Sequence, residues 1–391
     1  MKDKKNKNKK KKILFVIQSL RMGGAERVQV TLANKLVEAG YDVTVLVWKP
    51  IFDNESELDE RVRLIYKAPD RHLGNRIPYI RYKFYDDCMW ELRATPRQLY
   101  RYYVGRKKYD IEIAFFHGLA LEIIGGSDNK AALRFAWVHH DLEKLKEAIP
   151  KRWDLQVEMY HRIRNIVCVS QASRDTFIRT IGDTGNVQVI YNMLPAARIR
   201  QQAQEKPGVT VKKSKFHLVM SGRYVATKGY ERLIRSVVRL RGEGKDISLA
   251  LIGDGDDKAV ICDMIQSAGA GDYISTVNGY NNPYPYVKEA DLLVCASFTE
   301  GYNLTVAEAL ILSVPVLSTD CSGPREILDN GRYGMLVENS EEGLYKGLKE
   351  LYESPELLEE YRRKASGRMD FFDEDRILKQ ITDLFEGSEA K

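Results

Sequence analysis

The sequence predicts an α/β protein built from two doubly wound parallel-sheet domains, and three features point there. Short apolar runs recur between amphipathic stretches along the whole chain, the pattern of parallel strands covered by crossover helices. At 391 residues the chain exceeds what one core usually fills. A polar stretch, 196–214, divides two halves that each carry the pattern and reads as a linker.

In the first half, 13–195, strands are expected at 13–17, 43–47, 111–115, 135–138 and 165–169. The run at 13–17 follows a lysine-rich start and imitates a secretory signal. It breaks at Gln18 and Arg21, and no small-residue cleavage site follows, so it reads as strand. Helices are expected at 25–39, 96–105 and 151–162. In the second half, 215–370, strands are expected at 216–220, 248–252, 274–277, 292–295, 314–318 and 334–337. Helices fit 229–241, 258–268, 303–312, 323–329 and 341–354, and 371–391 reads as a terminal helical segment.

Charge is distributed unevenly. Residues 1–12 hold eight lysines and one aspartate, a net charge that exceeds the whole chain's +6, and this start reads as a disordered, solvated tail or as a patch attracted to anionic lipid. The remainder, 53 basic against 54 acidic residues, lacks the basic signature of a nucleic-acid binder. No apolar stretch approaches the length that spans a membrane. Cys88, Cys168, Cys262, Cys295 and Cys321 are odd in number and scattered, the usage of reduced thiols in a cytoplasmic protein.

Two segments ask for the same ligand. Ser221-Gly222-Arg223-Tyr224-Val225-Ala226-Thr227-Lys228-Gly229 follows a strand and carries two cations. Phe298 to Leu310 carries Glu300, a glycine turn at Gly301, an uncharged helix start at Tyr302, Asn303, Leu304 and Thr305, and Glu308 eight positions after Glu300. Cations and open helix N-termini attract a diphosphate, and carboxylates suit sugar hydroxyls. A nucleotide sugar joins both parts. Elsewhere, Gly23-Gly24 opens a helix after the first strand, either as a tight turn or as a place where backbone approaches ligand closely. Trp137-Val138-His139-His140-Asp141 ends a strand. A metal site there is disfavoured, because adjacent ligands rarely converge. Gly253-Asp254-Gly255 is a turn sequence. The stretch 71–108 interleaves aromatic and basic residues and reads either as core-packed helices with solvated basic faces or as an acceptor platform at a membrane surface.

These segments resemble the retaining glycosyltransferases of family 4, and the likeness runs from about 13 to 385 with Glu300-x7-Glu308 as its most specific part. The resemblance implies the GT-B fold, two Rossmann-like domains facing a central cleft, with a C-terminal helix crossing back to the first. It implies that Arg223 and Lys228 bind phosphates, that Glu300 holds the donor sugar and Glu308 the ribose, and that amides near Asn303, Leu304 and Thr305 complete the cradle. Gly23, Gly24, Gly253, Gly301 and Tyr302 would border the donor, Tyr280 would lie near the base, His139 would face the sugar, and Asp141 the acceptor side. Tyr302-Asn303 stands where family members often have Phe-Gly or Phe-Pro.

The expected reaction moves a sugar from a nucleoside diphosphate, UDP before GDP, to a glycan or lipid-linked acceptor, with retention and without metal or other cofactor. The expected location is the cytoplasm, at or near the inner membrane face. A glycosidase reading of Glu300 and Glu308 fails on distance, since eight helical residues rise about 12 Å where a retaining hydrolase needs about 5 Å. A nucleotide-sugar epimerase of the same fold and a non-catalytic partner protein remain as rivals.

Overall fold

The computed structural model describes residues 10–21, 23–49, 51–66, 94–139, 142–279 and 282–387. The chain divides into two compact units: Met1–Met193 with Asp375–Lys391, and Leu194–Glu374.

The first unit holds seven parallel strands, β1 (Lys12–Ile17), β2 (Asp42–Val47), β3 (Arg63–Tyr66), β4 (Ile111–Ala114), β5 (Leu133–Val138), β6 (Asn165–Cys168) and β7 (Asn186–Val189), ordered β3-β2-β1-β4-β5-β6-β7. Residues 13–17 of β1 and all of β4 are buried, as strands covered on both faces by helices must be. The C-terminal helix Glu374–Gly387 packs here through Phe385, whose ring lies 5.2 Å from Phe135 and 6.3 Å from Tyr41.

The second unit holds β8 (Phe216–Ser221), β9 (Ile247–Ile252), β10 (Ile274–Val277), β11 (Leu292–Cys295), β12 (Val316–Thr319) and β13 (Met335–Val337), ordered β10-β9-β8-β11-β12-β13. Strand order reverses between β1 and β4 in one unit and between β8 and β11 in the other. Ligands of doubly wound sheets bind beyond the carboxyl ends of the strands at such a switch point.

Several expectations need correction. The stretch 196–214, expected as a linker, opens with the helix Ala196–Gln202, buries Ile199, Ala203 and Val211, and is tied to the helix Tyr284–Lys288 by the Val209 N–H donating to the Tyr286 hydroxyl at 2.9 Å. The strand expected at 314–318 starts at Val316, because Ser313 turns with φ 58° and Pro315 has no N–H for a ladder. The edge strands β3 and β7 and the helices Leu119–Gly125, Leu142–Ala148, Gln171–Ile181 and Pro355–Ser366 were not anticipated.

Of the aromatic and basic stretch, 71–93 lies outside the described residues. In the helix Pro96–Tyr103, Tyr100 and Tyr103 are core residues while Arg97 and Arg101 face Asp128. That part follows the packed-helix alternative.

Candidate active site

The segment after β8 is built by close backbone packing. Gly222 has φ 153°, and its carbonyl accepts from the Tyr230 hydroxyl at 2.8 Å. Tyr224 is fully buried; its hydroxyl donates to the Leu251 carbonyl at 2.8 Å and its N–H to the Asp254 carbonyl at 2.9 Å. Gly253 and Gly255, at φ 155° and 157°, lie so close that a Cβ would meet the Gly222 carbonyl and the Tyr224 backbone respectively. The Gly-Asp-Gly turn therefore has a packing reason that its sequence alone did not reveal. With Tyr224 pinned inward, Arg223 is exposed and forms no ion pair among the described residues. A short 3₁₀ turn, Ala226–Lys228, then ends at Gly229, whose φ of 71° starts the helix Tyr230–Gly242.

The second segment follows β11, the strand across the switch point. Glu300 Oε1 accepts from Lys228 Nζ at 2.6 Å and from the Ser297 hydroxyl at 2.6 Å. Both side chains are partly sheltered, at 27% and 12% exposure, so the pair is less screened than a surface bridge. The two segments singled out by sequence thus meet through Lys228 and Glu300.

Gly301 leads to the buried Tyr302 and then to Asn303, a non-glycine residue at φ 86°. The Asn303 side chain explains how that conformation is held. Its Oδ1 accepts from the Val306 N–H at 3.1 Å and the Thr305 hydroxyl at 2.8 Å, while Nδ2 donates to Cys295 Sγ at 3.2 Å. Asn303 caps the helix Leu304–Ile311, and the Leu304 and Thr305 amides make no hydrogen bond among the described residues. These are the orphan donors that favour an anion at a helix start. Glu308 lies inside this helix at 2% exposure, and its Oε1 accepts from the Tyr284 hydroxyl at 3.1 Å. The hydrogen bond from Cys321 lowers the pKa of the Cys295 thiol, against burial, which raises it. Cys168, Cys262, Cys295 and Cys321 form no disulfide.

In the first unit, Gly23 caps the helix Gly24–Glu38, and a Cβ there would meet only the flexible end of Glu26. Gly24 is the first helical residue. His139 follows β5 with its ring 4.8 Å from Phe115. Tyr280, His140 and Asp141 lie outside the described residues.

Sequence reasoning missed the residues that hold these groups. Ser297, three before Glu300, and Tyr284, twenty-four before Glu308, are two of them. A third set braces the turn after β4: the Gly118 N–H donates to Gln156 Oε1 at 2.7 Å, Gln156 donates to Glu122 at 2.8 Å, and Arg152 pairs with Glu122. Burial pushes the Glu122 carboxyl up, against the pull of Arg152. Ser-x-x-Glu spacing was a visible signal for Ser297; Tyr284 and Gln156 carried none.

The two parallel sheets place the protein in the doubly wound α/β class of two-domain proteins. Residues 22–198 match the family described as Glycosyltransferase Family 4, and residues 201–368 match Glycosyl transferases group 1. The chain belongs to the GT-B glycosyltransferases of family 4. A Campylobacter jejuni relative, N-acetylgalactosamine-N,N'-diacetylbacillosaminyl-diphospho-undecaprenol 4-alpha-N-acetylgalactosaminyltransferase, is 31% identical over 194 residues, covering 49% of this chain and 51% of that protein. An uncharacterized glycosyltransferase of Haemophilus influenzae is 23% identical over 96% of this chain and 99% of its own. Among solved structures, Anabaena Alr3699/HepE in complex with UDP and glucose superposes with a TM-score of 0.73 at 19% identity, covering 96% of this chain and all of that one. Staphylococcus aureus TarM, in a complex that includes UDP, gives 0.74 at 14% identity over 96% and 99%. Among the described residues no helix is long and apolar enough to cross a membrane.

Proposed function

We propose that this glycosyltransferase moves a sugar from a UDP-sugar, a hexose or N-acetylhexosamine, to a glycan or lipid-linked acceptor in cell-surface polysaccharide or glycoconjugate synthesis, with retention at the anomeric carbon. The observation that carries the reading is the Lys228–Glu300 pair at 2.6 Å, which joins a phosphate-type segment to a sugar-type segment beside the open amides of Leu304 and Thr305. UDP in the Anabaena complex and the diphospho-undecaprenol in the name of the Campylobacter relative support the choice of carrier and acceptor. A lipid-linked acceptor would bring the protein to the inner membrane face.

As the bond from the anomeric carbon to the phosphate oxygen breaks, negative charge grows on the leaving diphosphate. Arg223, Lys228 and the helix start stabilise it most at that moment. The acceptor oxygen forms the new bond, and its proton passes to the departing phosphate on the same face. Glu300 hydrogen-bonds the sugar hydroxyls, Glu308 the ribose, and His139 the sugar, each role carried from the family motif. Lys228 and Glu300 hydrogen-bond each other at 2.6 Å. Donor arrival exchanges that pair for phosphate on Lys228 and hydroxyl on Glu300. With protein cations facing the diphosphate, the reaction needs no metal.

Binding of UDP, GDP and their sugars, followed by calorimetry for the wild type and Lys228→Ala, tests the reading. Tight binding to one nucleotide that Lys228→Ala weakens by about 1.5–3 kcal/mol, the worth of a charged hydrogen bond, is the expected result. An unchanged affinity would remove the phosphate assignment. Turnover of a UDP-sugar without any acceptor would favour the epimerase instead.

A further inference from the structure

Arg232 is the third residue of the helix Tyr230–Gly242 and is only 3% exposed. Its guanidinium donates to the Ala296 carbonyl from Nε at 2.8 Å and also from Nη2. It also lies 3.9 Å from the centre of the Phe298 ring. Among the described residues no carboxylate pairs with it, and burial lowers its pKa. A buried cation answered by one carbonyl and one ring face is expensive to keep, and an apolar side chain of similar length would pack there at less cost.

What the guanidinium holds is the loop between β11 and Glu300. Ala296 is the first residue of that loop, and a Cβ on Gly229 would collide with both the Ala296 carbonyl and Arg232 Nε. The turn that carries Lys228, the loop that carries Glu300 and the Arg232 head therefore meet at one point. The Phe298 N–H donating to the Thr227 carbonyl at 2.9 Å ties the two segments a second time. Phe298 itself is 53% exposed, and its ring lies over the guanidinium.

We propose that Arg232 is a positioning residue of the donor site. It locks the loop 296–300 against the turn 226–229, so that Lys228 and Glu300 stand at the separation the donor requires. A two-nitrogen grip on one carbonyl fixes direction as well as distance, which a lysine ammonium does not do. The inference rests on the donor-site reading above.

The test measures UDP and GDP binding by calorimetry for Arg232→Met, Arg232→Lys, Lys228→Ala and the Arg232→Met/Lys228→Ala double variant, with circular dichroism to confirm folding. Arg232→Met is expected to fold and to bind the preferred nucleotide about tenfold more weakly, with Arg232→Lys between it and the wild type. In the Lys228→Ala background Arg232→Met should add less than about twofold, because residues acting through one another are not additive. Additive losses, or wild-type binding by Arg232→Met, would overturn the positioning role. Should Arg232→Met fail to fold, Arg232→Lys decides: weakened binding is expected, and wild-type binding refutes it. If Lys228→Ala binds as the wild type does, or neither nucleotide binds the wild type, the donor-site reading fails and the role of Arg232 falls with it.

Discussion

Asn303 offers a quantitative check on how the helix that carries Glu308 is started. Its φ of 86° lies where a side chain is strained, at a cost of about 1 kcal/mol or more for a non-glycine residue. Its side chain offsets that by capping Val306 and bonding Thr305 and Cys295. Asn303→Ala keeps the strain and deletes the cap, whose loss alone is worth about 1 kcal/mol. With the lost Cys295 contact, the expected total is about 2–3 kcal/mol. Asn303→Gly deletes the same bonds but relieves the backbone, so it should cost about 1 kcal/mol. The order, glycine milder than alanine, is the sharp part of the prediction. All four tryptophans fall before residue 194, so their fluorescence would miss unfolding of the second unit; urea titration followed by far-ultraviolet circular dichroism reads it. A cost below about 0.5 kcal/mol for alanine, or a glycine variant worse than the alanine one, would refute the account of strain held by capping.

Tyr284→Phe removes one donor from the buried Glu308 carboxylate and should destabilise by about 1–3 kcal/mol, with KM for the donor rising more than kcat falls; equal steady-state constants would show that Tyr284 does not orient Glu308. His217 is buried on β8, with Ser248 at 2.9 Å, and desolvation reinforced by Lys213 pushes its pKa from 6.5 to about 4. Above pH 6.5 both folded and unfolded chains carry it neutral. Between 6.5 and 4 only the unfolded chain takes the proton, so stability falls with falling pH by up to about 1.4 kcal/mol per pH unit. His217→Gln should lose that slope, and stability curves that stay parallel through this window would contradict it. Transfer activity should survive excess EDTA, and its loss and recovery with a divalent cation would overturn metal-independent transfer.

Fold class and central strands were legible because buried parallel strands leave unbroken apolar runs, as at 13–17 and 292–295. The edges were not. Asn-Val-Gln-Val in β7 and Arg-Leu-Ile-Tyr in β3 have no fully buried residue, so each reads like a loop. The helix Leu119–Gly125 failed for the opposite reason, being buried on every side and so lacking the polar stripe that marks a period. The helix Ala196–Gln202 hides one core residue, Ile199, among arginines and glutamines. At the site, charged groups beside glycines were visible because phosphate chemistry restricts residue types. Their supports were not visible, because a tyrosine hydroxyl or a buried guanidinium can come from anywhere in the chain.

This difference bears on how the site is made. Arg223 and Lys228 sit on a turn that closes only because Gly229, Gly253 and Gly255 let backbones touch, while Glu300 hangs from a loop whose carbonyls are taken by Arg232, Asn339 and Thr319. Neither segment is rigid by its own sequence, since a 3₁₀ turn and an irregular loop have few internal bonds. Each is made rigid by the other and by the helix behind them. The candidate site in this unit is therefore a property of the junction between β8 and β11, where the winding reverses and two strand ends leave space that side chains from both segments can enter.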